Sequence, residues 1–343
     1  MIPVLLSILA VSAAGTGIYK GIDGAVKMSD AKDLLEKAKK RNDANVNRCT
    51  SINNETTRLM DSVGKMELEI LSSFDKFANY IEKIQNRPKF ADVKIRNVLL
   101  PKFEGKELKD VSIGATVLLS ASTGAGVGTL GGFAAAGATT AAVTALGTAS
   151  TGTAIAGLSG AAATNAVLAT LGGGTLAAGG GGVALGSALL SGATLGVGLL
   201  IGGWIFSYSG DKLLEKADDA WEQMLKNEDK INKICNYLGE LKSAATNFKQ
   251  SLNQAKGIYD QHLDYLRVII RYGDVDWRDL NSNEQMCVQN TVLLVGLLYK
   301  MCKIKLVKNY ESASTLNEVN KIEVNKAISD CNAVLREVHY VAA

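Results

Sequence analysis

Residues 231–269 read INKICNYLGELKSAATNFKQSLNQAKGIYDQHLDYLRVI. Ile231, Ile234, Leu238, Leu241, Ala245, Phe248, Leu252, Ala255, Tyr259, His262, Leu266 and Ile269 follow one another in alternating steps of three and four. That spacing puts them on one helical stripe and is the heptad seam of a coiled coil. The coiled-coil seam is assigned to Ile231, Ile234, Leu238, Leu241, Phe248, Leu252 and Leu266, and His262 is expected to be a packed core histidine. Asp211 to Ile270 reads as one helix of about 60 residues, ~90 Å at 1.5 Å per residue. Gly239 and Gly257 weaken it by about 1 kcal/mol each relative to Ala.

Upstream, residues 29–86 hold no proline and a single glycine, Gly64. Val46, Cys49, Ile52, Leu59, Val63, Met66, Ile70, Phe74, Phe77, Ile81 and Ile84 form a second stripe, with Ser29 or Asp30 able to cap the start and Pro88 just past the end. Residues 88–110 are a connector with Pro88 and Pro101, and Asp274–Asn283 is a polar turn. Residues 286–299, MCVQNTVLLVGLLY, are apolar but too short to span a bilayer, so a core helix is expected. A last helix near 312–339 carries Val324, Ile328, Cys331, Leu335 and Val338 at helical steps.

Between the two arms the composition changes abruptly. No Asp, Glu, Lys, Arg or His occurs in residues 111–210, which hold 25 of the 35 glycines. All 71 charges fall on the other 243 residues. A hundred residues without charge cannot supply an ordinary water-facing surface, so burial in protein or lipid is expected. Residues 183–207 hold 11 Leu, Ile, Val or Phe in 25, which favours insertion by roughly −5 kcal/mol before polar and glycine costs. Leu189, Leu190, Leu195, Leu199, Leu200, Ile201, Trp204, Ile205 and Phe206 are the expected membrane-inserting residues. Residues 112–133 are marginal with seven in 22, and 138–169, with six in 32, would insert poorly alone. Gly124, Gly128 and Gly132, then Gly182–Gly186, Gly192–Gly196 and Gly198–Gly202, recur at four-residue steps. On helices these bare faces allow close backbone approach.

Residues 2–19, IPVLLSILAVSAAGTGIY, are uncharged, and three readings stay open: a cleaved signal, a membrane anchor or a buried helix. The segments are therefore 1–28, an apolar N-terminal helix; 29–87, a long arm; 88–110, a connector; 111–210, the uncharged region; and 211–343, a long helix plus two shorter ones. The expected fold class is all-α: long helical arms, packed as a coiled-coil-like bundle, flank a Gly/Ala-rich apolar helical membrane-insertion region.

Several function classes are excluded. Residues 1–110 carry 19 basic and 15 acidic side chains and 211–343 carry 18 and 19, so neither part is a nucleic-acid stripe. The five cysteines, Cys49, Cys235, Cys287, Cys302 and Cys331, are scattered without a CxxC pair and read as reduced thiols packed in helices. His262 and His339 give no metal-ligand spacing. Gly126, Gly128 and Gly131 spell GxGxxG by letter, but no acidic residue follows before Asp211. Gly64-Lys65 is followed by Met66 and makes no phosphate loop. No catalytic, cofactor or metal residue is assigned, and an enzyme is not expected.

The run Ala166–Gly186, AVLATLGGGTLAAGGGGVALG, resembles a pattern of bacterial glycine-zipper proteins, as do the apolar start with Gly15, Gly17, Gly21 and Gly24 and the charged helix after it. The apolar island is loosely similar to the membrane regions of apolipoprotein L and colicin-type proteins. The order of long helix, apolar head and long helix is similar to ClyA-type α-helical pore-forming toxins. These resemblances imply a bacterial toxin or defence effector that inserts into membranes and self-associates through glycine zippers. Its expected partners are the lipid bilayer, further copies of itself and a helical protein, with no nucleic acid. The implied location is a soluble cytoplasmic form that converts to a membrane-bound one, or an integral membrane protein. The alternatives are a membrane-anchored coiled-coil scaffold and a soluble helical interaction protein.

Overall fold

The computed structural model describes residues 18–88, 94–95, 98–101, 105–124, 210–308 and 318–339. Of these, 85% are helical. The all-α expectation holds at that level. The helices are α1 (Ile18–Ser72), α2 (Phe74–Glu82), α3 (Gly105–Gly124), α4 (Gly210–Ile269), α5 (Ser282–Met301) and α6 (Lys321–His339). Three two-residue strand pairs sit in the connections. β1 (Ile84–Gln85) pairs in parallel with β4 (Val275–Asp276). β2 (Lys94–Ile95) pairs antiparallel with β3 (Val98–Leu99), and β5 (Val307–Lys308) with β6 (Glu318–Val319).

The chain divides into two units, residues 1–48 with 195–232 and residues 49–194 with 233–343. In the first, Ala31, Leu35 and Ala217 form a small apolar core edged by Leu34, Leu214 and Ala220. Arg41 grips Glu228 through two bonds of 3.2 and 2.7 Å, and its guanidinium lies 5.7 Å from the Trp221 ring centroid. The Arg41 contact holds the Glu228 carboxyl below its usual range. Asn45 Nδ2 also donates to Glu228 at 3.1 Å, and Arg48 donates to Asn232. In the second unit, Lys242 pairs with Glu55 at 2.5 Å, and Ser73 Oγ lies 3.2 Å from Tyr259 Oη.

Within each unit these partners lie between 183 and 187 residues apart. A nearly constant offset means that α1 and α4 run parallel in both. The α4 seam is buried from Ile231 through Leu266, including Leu238, Leu241, Phe248 and Leu252. His262 departs from the expected core position: it is half-buried, with Nδ1 2.9 Å from the carbonyl of Ile258 on its own helix.

The α1 stripe differs more. Cys49, Val63, Ile70, Phe74, Phe77, Ile81 and Ile84 are buried, but Val46, Ile52, Leu59 and Met66 are only half-buried. The buried line instead passes through Asn42, Asn53, Thr56, Met60 and Glu67. Thr56 tolerates burial because its hydroxyl donates to Ile52 O at 2.8 Å. Asn at a seam position restricts register at a cost in stability.

α1 also starts at Ile18, upstream of the expected caps Ser29 and Asp30, and it stops at Ser72 rather than running to residue 86. The stop has a local cause. Ser72 Oγ donates to Glu69 O at 2.9 Å and Ser73 Oγ to Ile70 O at 2.6 Å. Two adjacent serines bonding back one turn compete with the backbone ladder. Ser73 N accordingly bonds to Ile70 O at 3.0 Å, and Lys76 N to Ser73 O at 3.2 Å.

α5 is buried at 12 positions from Cys287 to Met301, the expected core helix. A capping box starts it: Glu284 N donates to Asn281 Oδ1 at 3.0 Å, and Asn281 N to Glu284 Oε2 at 2.9 Å. The turn that follows α4 closes at Gly273, whose φ of 121° favours glycine.

Candidate functional site: the root of the uncharged region

The uncharged region begins at Val111, in the second turn of α3. Its root is the part whose geometry is described. Residues 125–209 lie outside the described residues, and with them Gly128, Gly132, Gly182, Gly186, Gly192, Gly196, Gly198, Gly202 and the membrane-inserting set from Leu189 to Phe206. Gly124 is the last residue of α3. Among the described residues no helix is long and apolar enough to cross a membrane.

The root sits where α1 breaks. Because Lys76 N turns to Ser73 O, the Ser72 carbonyl is open to another donor, and Ser112 Oγ takes it at 2.7 Å. Ser112 Oγ also lies 3.3 Å from Asp75 Oδ1. One turn earlier Lys109 Nζ reaches both oxygens of Glu82 at 2.8 Å. Lys109 thus meets the end of α2 while Ser112 meets its start, so α3 runs antiparallel to α2. A side chain at Gly105 would meet Glu82 Oε1 at 3.6 Å, an ordinary contact.

The third tie comes from α5. Tyr299 Oη donates to Glu107 Oε1 at 2.7 Å. Its ring stands edge-on to Phe74, with centroids 6.3 Å apart at 72°, and Phe74 stands likewise to Tyr259 at 6.2 Å and 87°. Burial raises the pKa of both phenols, and the Glu107 carboxylate raises that of Tyr299 further. Tyr299 is therefore a neutral donor at ordinary pH.

Leu108, Val111 and Ala115 are buried, Ser112 and Gly114 fill the gaps, and Ile113 is 47% exposed. Among the described side chains, α3 is held by Leu108, Val111, Ala115 and three polar ties, whereas α5 is buried at 12 positions. Sequence periodicity gave no sign of Ser112, Lys109, Glu107 or Tyr299 as partners.

The thiols are not a reactive set. All five cysteines are buried and unpaired with one another. Burial pushes Cys287 up to about 11 and Cys331 up to about 12, and raises Cys302 strongly, with Glu67 adding to the effect. Among the described residues no cluster of His, Cys, Asp or Glu is arranged to hold a metal. Comparison with protein families, curated proteins and solved structures finds no match to this chain.

Proposed function

We infer that the chain is a membrane-inserting α-helical effector that forms pores by packing glycine-zipper helices from several copies. The observation that carries this reading is the run of 100 residues without a charge, with glycines at four-residue steps, attached to a helical body that carries every charge. Small-residue faces let helices associate in lipid, where apolar packing alone gives little preference. Marginal hydrophobicity suits a segment that must tolerate two environments. The partly exposed Lys109–Glu82 pair and the Ser112 bond that tie α3 to α2 support the idea of a root that can be let go. The region would enter the bilayer as helical hairpins, converting a cytoplasmic form into a membrane-bound one.

One observation favours a second reading. Buried Asn42, Asn53 and Thr56 in a parallel helix pair are the polar seam positions that structural coiled coils use to fix register. That suits a membrane-anchored scaffold whose arms bind a helical partner. Dye release from liposomes, paired with alkaline extraction of the pellet, separates the two. Release with extraction-resistant protein is the expected result. Resistant protein without release favours the scaffold, and neither release nor resistance overturns the membrane reading.

A further inference from the structure

α6 covers one stripe of α4 and stops before the stripe does. Lys321 Nζ pairs with Glu240 at 3.0 Å, and Cys331 Sγ donates to Ser251 O at 3.5 Å. The offset between partners is nearly constant, so α6 runs parallel to α4. Further along, Gln254 and Ile258 of α4 line a groove of about 620 Å³ with Asn332, Leu335 and Arg336 of α6. At the same offset His339, the last residue of α6, is level with residues 258–259.

From Gln254, steps of three and four carry the stripe on through Ile258, Gln261, Tyr265 and Val268 to Tyr272. Tyr265, Val268 and Tyr272 are 44%, 55% and 93% exposed. Tyr272 stands in the turn after α4, which keeps a helical winding: Ile270 N bonds to Leu266 O and Arg271 N to Val268 O, both at 3.2 Å. Leu266 and Ile270, on the opposite side, are buried. Apolar residues scattered singly on a surface need no explanation. Three in register, continuing a stripe that is already a helix–helix contact, do. Charge narrows the choice of occupant. Asp264 and Arg271 each directly precede a tyrosine of the stripe, so both lie on the same flank, and both are exposed. Asp264 has a loose partner in Arg267 at 3.7 Å, with side chains 74% and 65% exposed, and the Arg271 guanidinium lies 5.5 Å from the Tyr272 ring centroid.

We propose that this stripe pairs antiparallel with the same stripe of a second copy of the chain. Tyr265 then meets the partner's Val268, and Val268 the partner's Tyr265. Tyr272 reaches the level of the partner's Gln261, at the mouth of the groove between α4 and α6. On the flank, Asp264 faces the partner's Arg271, and Arg271 the partner's Asp264, since flanking charges set the orientation of paired helices. The contact is self-complementary, as a two-fold dimer requires. A parallel pair would set Asp264 against the partner's Ile269 and leave the charges unmatched. At 150–250 Å² per aromatic side chain, these exposures let the two tyrosines contribute roughly 200–350 Å² per copy. That is less than a permanent dimer buries, so the pair is weak and forms with rising concentration. No lipid enters this contact, so it stands or falls apart from the membrane reading.

The test is sedimentation velocity of the full chain without lipid, over a wide range of concentration. The chain should shift toward dimer as concentration rises. Asp264→Arg and Arg271→Asp, each alone, turn two attractions into two repulsions and should weaken dimerisation by about tenfold. An equal mixture of the two single variants should restore it, because each carries the charge that the other lacks. The double variant, Asp264→Arg with Arg271→Asp, should restore it as well. All three changes lie on exposed positions and should leave the circular dichroism spectrum as it is. Single variants that associate like the parent overturn the proposal and assign any assembly to another surface, such as the glycine zippers. A mixture that stays monomeric overturns the antiparallel pairing. A parent that is monomeric at every concentration also overturns it, and leaves the stripe to residues 340–343, another protein or lipid.

Discussion

Leu108→Ala should free α3 while leaving the α4 seam intact. Leu108 is fully buried and is the largest apolar side chain seen in the dock. Cutting a buried leucine to alanine costs about 2–5 kcal/mol. The Lys109–Glu82 pair, with side chains 34% and 51% exposed, offsets little of that, since exposed pairs contribute about 1 kcal/mol or less. The loss falls on a helix whose other buried apolar side chains among the described residues are Val111 and Ala115. At the low end of the range, local opening becomes about 30-fold more frequent. Hydrogen exchange reads this directly. Amides of residues 109–116 should exchange about 30-fold faster or more, while those of residues 241–255, beneath Leu241, Phe248 and Leu252, keep their protection. Unchanged exchange in α3 would refute the dock. Equal acceleration in the α4 seam would show that Leu108 belongs to a single global core.

Other consequences are as direct. Asn42 is 2% exposed and its Oδ1 has no hydrogen-bond partner among the described residues, so Asn42→Leu should slow exchange around residues 35–45 by about 1 kcal/mol of added local stability; faster exchange would show that the amide is needed. Tyr259, Cys287 and Cys331 have raised pKa values in the folded chain, so their contribution is complete below the ordinary 9.0 of a thiol or 10.0 of a phenol. It is lost as pH rises, through about 11 for Cys287 and about 12 for Cys331. Glu55, Glu228 and Asp276 have lowered values, so their contribution is present above the ordinary 3.8–4.5 and lost as pH falls through them. Thermal midpoints by circular dichroism should therefore be flat from about pH 5 to 9 and fall on both sides, and a midpoint that climbed in alkali would contradict the burial argument. Replacing Gly124, Gly128 and Gly132 together with Leu should block close helix packing and abolish oligomers in detergent or vesicles. A triple variant that assembles like the parent would remove the zipper from the account.

Sequence reading located α4 well because its three-and-four pattern runs unbroken and nothing in it competes with the helix. It placed α5 for a similar reason, since a short, uniformly apolar run has to be buried. It failed at Ser73, where two serine hydroxyls bonding to the preceding turn interrupt α1 with no proline or glycine to mark the spot. It also misread part of the α1 stripe, because Asn53, Thr56 and Glu67 occupy buried positions that an apolar count assigns to Ile52, Leu59 and Met66. The parallel sense of α1 and α4 was not legible, because periodicity carries no direction. The root of α3 was invisible for a different reason: its three ties join residues 27, 40 and 192 apart through the side chains of one serine, one lysine, two glutamates and one tyrosine, none of them part of a repeat.

The central claim is that residues 111–210 enter the bilayer, and the sequence itself supplies the means to test it. Trypsin cuts after Lys and Arg, and none lies between Lys109 and Lys212. Digesting vesicle-bound protein should therefore release the whole region as one peptide, Asp110–Lys212, while the arms are cut into many. After an alkaline wash and flotation, that peptide should rise with the vesicles and the arm peptides should stay behind. A peptide Asp110–Lys212 that remains at the bottom of the gradient would contradict membrane insertion.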